Sequence, residues 1–117
     1  MMRPESGPES EEVYDLLYQL GLSAKSTAFF HLAYTVRLAA EQPQRLLAAA
    51  WLYPETARHY GTSPEAVERS VRRLCTLAWR SAPELLSRLT GAPLNEPPPT
   101  IRFVAVLAAA IREMGVA

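Results

Sequence analysis

Residues 53–74 constrain the fold more than any other part of the 117-residue chain, because each punctuating residue in them makes a defined conformational demand. Pro54 suits a first helical turn, where its missing N–H loses no partner and its φ is already helical. Tyr53, as the residue before it, is pushed away from the helical region, so a kink or a fresh helix start is expected there. Ala57 is small enough to let two helices approach closely. Gly61 permits the positive φ that stops a helix. Thr62 or Ser63 can then cap a second helix with Pro64 and Glu65 in its first turn, and Thr62-x-x-Glu65 also has the capping-box spacing. The segment predicts a short helix, a tight turn and a longer helix.

The longer helix sorts into two faces. Val67, Val71, Leu74 and Ala78 recur at intervals of four, three and four residues and make a stripe to bury, which leaves Glu65, Glu68, Arg69, Arg72, Arg73 and Thr76 outward. Two helices joined in this way form a helix-turn-helix, whose second helix, here about residues 64–80, can enter a DNA major groove. An arginine on its front half can bridge guanine O6 and N7 for ~1–3 kcal/mol of discrimination, while arginines farther along neutralise phosphates. The competing use of the same residues is a pair of i,i+4 salt bridges, Glu65 to Arg69 and Glu68 to Arg72, contributing ~0.3–0.5 kcal/mol each. The two uses are compatible, since a carboxylate can hold an arginine in its reading rotamer.

Charge follows the motif. Twelve basic and twelve acidic residues cancel over the whole chain, which argues against an unstructured polybasic nucleic-acid binder. The balance is uneven along its length. Residues 1–12 hold Arg3 against Glu5, Glu9, Glu11 and Glu12, a net of −3, while residues 58–80 hold Arg58, Arg69, Arg72, Arg73 and Arg80 against Glu65 and Glu68, a net of +3. Such a local excess is the modest electrostatic footprint expected of a DNA-binding face.

The remainder reads as further helices around one core, within the size of a single domain. Residues 1–11, with Pro4, Gly7 and Pro8 among serines and glutamates, have too little apolar surface to offset the entropy of ordering and are expected to be a disordered acidic tail. Val13, Leu16, Leu17 and Leu20 give a first helix from Glu12 to Leu20, ended by Gly21. Ser23 is the expected cap of a long helix to about Ala40 that is apolar on several sides and should lie centrally. Gln44 to Leu52 forms a third helix, Glu84 to Thr90 another, and Thr100 caps a last one through Met114 after a stiff proline-rich connector at residues 95–99. No sustained period-two alternation is present. The expected fold class is all-α, a five- to six-helix bundle containing a helix-turn-helix, with residues 12–117 as the DNA-binding domain.

Tyr53-Pro54-Glu55-x-Ala57, the Val67-Glu68-Arg69 triplet and Ala78-Trp79 resemble the C-terminal DNA-binding domain of the stage 0 sporulation protein A response regulators, as do Leu20-Gly21-Leu22 and Phe103-Val104-Ala105. The resemblance spans roughly residues 13–114. It implies an all-α bundle that binds double-stranded DNA as a sporulation transcription regulator, with Glu68 and Arg69 at base-reading positions and Arg72 and Arg73 nearer the backbone. Glu65, Arg58 and Ser63 complete the expected contact set. It also implies a head-to-tail homodimer on tandem DNA sites, formed partly through the last helices, and RNA polymerase or a homologous regulator as protein partner. Two departures carry consequences. Ala66 stands where the family has a further arginine, which predicts weaker binding or a different preferred sequence. In the family a phosphorylatable receiver domain precedes this one, whereas here a short acidic tail does, so, taken as a complete chain, it is expected to escape control by that route.

Other chemistries find no local signature. Ser, Cys, His and carboxylates occur without a pattern that assembles a nucleophilic site, so no enzyme is expected. His31, His59 and Cys75 match no compact zinc spacing, and neither metal nor cofactor is expected. His31 reads as a packed or surface residue and Cys75 as a small buried hydrophobe in a reducing, cytoplasmic setting. No apolar run is long enough to cross a membrane. The rival to a DNA regulator is a protein-interaction module that keeps the fold with weak or no DNA binding, favoured by the neutral total charge, Ala66 and the acidic tail. It predicts a complex with a protein partner through an apolar surface patch.

Overall fold

The computed structural model describes residues 8–45 and 49–114. Six α-helices follow one another: α1 (Pro8–Gln19), α2 (Thr27–Glu41), α3 (Ala49–Tyr60), α4 (Pro64–Ser81), α5 (Pro83–Thr90) and α6 (Thr100–Glu113), with a single 3₁₀ turn at Pro43–Arg45 and no strand among the described residues. The all-α bundle expected from the apolar spacings is the fold observed.

α2 is the hub. It packs against α1, α3, α4 and α6, and α6 in turn touches α1, α4 and α5. Nine α2 residues are buried, including Phe29, Leu32, Val36 and Ala39, as its many-sided apolar pattern requires. Phe103, Val104, Leu107, Ala108 and Ile111 of α6 close the core against it, and Leu16, Leu17 and Leu20 cover it from the α1 side.

α1 ends at Gly21, which has φ +84°; the Leu22 N–H reaches the Leu17 carbonyl at 3.0 Å and the Gly21 N–H the Tyr18 carbonyl at 2.9 Å, the paired bonds of a Schellman stop. The same glycine is required by packing. A Cβ added to it would stand 2.6 Å from Ser81 Cβ, so the turn after α1 can abut the end of α4 only without a side chain.

Several boundaries differ from the sequence expectation. α1 begins at Pro8 and not Glu12, proline being well placed in a first helical turn; the rest of the expected tail, residues 1–7, lies outside the described residues. The cap of α2 is Ser26, with extended backbone, and not Ser23. Thr100 does not cap α6: it is the first helical residue, Pro99 holds the cap position, and the Pro99 carbonyl accepts from the Phe103 N–H at 2.9 Å. No break occurs at Tyr53. Pro54 lies inside α3, which runs unbroken from Ala49 to Tyr60, so the expected third helix and the first motif helix are one element. The lost hydrogen bond at Pro54 is outweighed by burial of Leu52, Thr56 and Ala57 on the face that meets α2 and α4. Residues 46–48 of the expected third helix lie outside the described residues.

Candidate nucleic-acid interface

The turn between α3 and α4 is built as its residues demand. Gly61 takes φ +67°, the Thr62 N–H donates to the Ala57 carbonyl at 2.9 Å and the Gly61 N–H approaches that of Arg58 at 3.4 Å, another Schellman stop. Of the two cap candidates Ser63 is the one used. Its Oγ accepts from the Ala66 N–H at 3.1 Å, with Pro64 and Glu65 in the first turn behind it. Ala57 is buried, as the close helix approach requires.

α4 then divides along its length. Val67, Val71, Leu74, Cys75 and Ala78 are buried, anchoring one side, and Glu65, Arg69, Arg72 and Arg73 are exposed on the other with Glu68 half-buried between. Cys75 behaves as a core residue: its Sγ lies 3.4 Å from the Pro98 carbonyl, and burial pushes the thiol up to about 11.

The outward side of α4 forms one wall of an open groove of about 750 Å³ whose other wall is the N-terminal part of α2, at Thr27 and His31. Arg69, Arg72, Arg73 and Arg80 line it together. Arg69, Arg73 and Arg80, four and seven residues apart, fall in one stripe, and none of the three makes an ion pair among the described residues. Arg72 pairs with Glu68, as the i,i+4 spacing predicts. The companion pair does not form: Glu65 and Arg69 both stay exposed and unpaired with each other. Glu65 stands instead in the first turn, where a carboxylate favours the helix dipole.

Arg58 is not brought to this groove. It sits on α3, pairs with Glu55 at 2.5 Å, and lines a separate depression with Trp51 and Pro54. Conversely, the groove is lined by residues outside the expected contact set, Arg80 and His31 among them. Arg80 could have been found from its helical spacing to Arg73. His31 could not, because it reaches the groove from α2, 39 positions from the Ser70 it bonds. Burial lowers its pKa, so the imidazole is neutral at pH 7 beside the arginines. His59 stacks on Tyr34 at 4.1 Å between ring centroids, and no three His, Cys, Asp or Glu residues converge on a metal position among the described residues. No helix among those residues is long and apolar enough to cross a membrane.

An all-helical core from which a capped, rigid helix projects an arginine face, one tight turn after its partner helix, defines the chain as a helix-turn-helix domain of the DNA-binding regulatory class. Comparison with known families gives the particular one. The family described as sporulation initiation factor Spo0A C terminal matches residues 13–111, nearly the whole chain, and the protein belongs to that family: it is a DNA-binding sporulation regulator domain.

Proposed function

We propose that the protein is a sequence-specific transcription regulator that lays residues 64–80 in the major groove. One observation carries this reading: Arg69, Arg73 and Arg80 stand in a single unpaired stripe on a helix whose opposite side is fixed in the core. Arg69, nearest the helix start, reads a base edge, with Glu68 and Arg72 beside it as a coupled pair and Arg73 and Arg80 on phosphates. Ser63 and Glu65 hold the entry to the helix. Ala66, which lines the same groove, offers no hydrogen bond of its own to a base, so the preferred sequence differs from that of a relative with arginine there. On tandem sites two copies would bind head to tail, and RNA polymerase or a homologous regulator is the partner such a complex would address.

Fluorescence anisotropy on a randomised duplex library tests this. If Arg73 and Arg80 neutralise two phosphates, raising salt from 50 to 200 mM lowers affinity about twelvefold. Arg69→Ala should erase the preference among sequences, a loss of ~1–3 kcal/mol, with the fold intact by circular dichroism. Salt-insensitive binding, or a preference that survives Arg69→Ala, counts against the reading.

A second reading has its own support. Two of the five motif arginines are neutralised by Glu55 and Glu68, and Leu77 lies 38% exposed within the groove. A protein-interaction module would use that apolar spot, and a partner complex that survives nuclease treatment is its signature.

A further inference from the structure

A polar chain crosses the otherwise apolar core and ends on α4. Thr35 of α2 and Thr56 of α3 are both fully buried, and their hydroxyls lie 2.8 Å apart. Thr35 Oγ1 donates its one proton to the His31 carbonyl at 2.8 Å, so Thr56 is the donor to Thr35. The His31 ring, only 8% exposed, then makes a 3.0 Å hydrogen bond between Nδ1 and Ser70 Oγ. Tyr60 holds that ring from the end of α3: the two ring centroids are 5.1 Å apart, and the Tyr60 hydroxyl donates to the Phe30 carbonyl at 3.3 Å. Both helices of the motif are thus tied to α2 by directional bonds.

Ser70 follows Arg69 and precedes Arg73 by three residues, and it sits on the flank of the arginine face, between that face and the buried stripe. The apolar stripe beneath, Val67 to Ala78, is held by contacts that are non-directional and tolerate small rotations. A hydrogen bond does not, since it weakens steeply with distance and angle. Rotating α4 by about 10° about its axis would carry a guanidinium, at a radius of roughly 8 Å, some ~1.4 Å sideways. That is enough to lose a two-bond match to a base edge.

We propose that His31 is a positioning residue for DNA reading: through Ser70 it sets the rotation of α4 and hence the direction in which Arg69 and Arg73 leave the helix. The assignment rests on the DNA-reading role given above. Because the bond joins residues 39 positions apart on two different helices, it belongs to the assembled fold and to no local motif.

The test uses the full chain and the duplex that the wild type selects from a randomised library, against a scrambled duplex at the same salt. Ser70→Ala and His31→Leu should each reduce the discrimination between the two about tenfold while leaving the salt slope unchanged. The double variant should be no worse than either single one, because both remove the same bond. His31→Asn, which returns a side-chain amide near the position of Nδ1, should stay within about twofold of wild type, a rescue that a mere packing role would not give. Should His31→Leu fail to fold, Ser70→Ala carries the test alone, its position being half-exposed and alanine the better helix former. Wild-type discrimination in Ser70→Ala, or losses that multiply in the double variant, overturns the inference and leaves the DNA reading standing. A wild type that selects no sequence at all sinks both.

Discussion

α2 and α4 are of similar length, 15 and 18 residues, and are put to opposite uses. α2 buries nine residues, and its one arginine, Arg37, is held by Glu41 at 3.2 Å and lies 5.0 Å above the Tyr34 ring. α4 buries five and leaves three of its four arginines without an ion pair among the described residues. The core therefore needs only a narrow stripe of α4, and the rest of that helix is free to carry recognition chemistry. Stability and reading are assigned to different helices, so they should respond to different substitutions.

Phe29→Ala is the severest way to break that division. The Phe29 ring is fully buried in α2, stacked on Tyr18 with centroids 5.5 Å apart and set 5.2 Å from Phe30. Removing it should cost ~3–5 kcal/mol, a large part of a small domain's net stability. The thermal midpoint should fall by at least about 12 °C in a circular dichroism melt. DNA affinity of the fraction still folded should stay as it was. A fall of only a few degrees would mean that α2 is not the hub.

How much of this was legible beforehand depended on whether the signal was local. The spacing of Val67, Val71, Leu74 and Ala78, the stop at Gly61 and the helix through Thr90 are each set by residues a few positions apart, and all three are present. Pro54 misled because the local rule for the residue before a proline was overridden by burial of Leu52, Thr56 and Ala57 along one continuous face. Ser23 and Thr100 were plausible caps, but a cap is chosen by where neighbouring helices fix the turn, which spacing does not show. In the candidate site, Arg69, Arg72 and Arg73 follow from helical periodicity alone. The separation of Arg58 from them, and the arrival of His31 among them, depend on how α2 and α3 cross α4.

Ser63→Ala gives a smaller effect on the same comparison. The serine cap satisfies one of the orphan N–H groups at the start of α4, that of Ala66, and its loss should cost ~1 kcal/mol. Because the cap precedes the arginine face, amide hydrogen exchange should speed up in the first turn of α4 while α2 stays protected. Equal loosening of both helices would show that they unfold as one unit and that the division of labour is not energetic.

The smallest effect separates two arginines that share a motif but not a surface. Arg73 lies in the groove without an ion pair among the described residues, so Arg73→Ala should lower the slope of log affinity against log salt by about one. Arg58 is already held by Glu55 on the far depression, where an exposed pair contributes little. Arg58→Ala should shift stability by less than ~0.5 kcal/mol and leave the salt slope nearly unchanged. Titrations of the two variants on one duplex across four salt concentrations decide the matter. If both slopes fall equally, α3 meets phosphates as well, and the DNA-facing surface extends around the motif to Trp51 and Pro54, where Arg58 would exchange Glu55 for a phosphate.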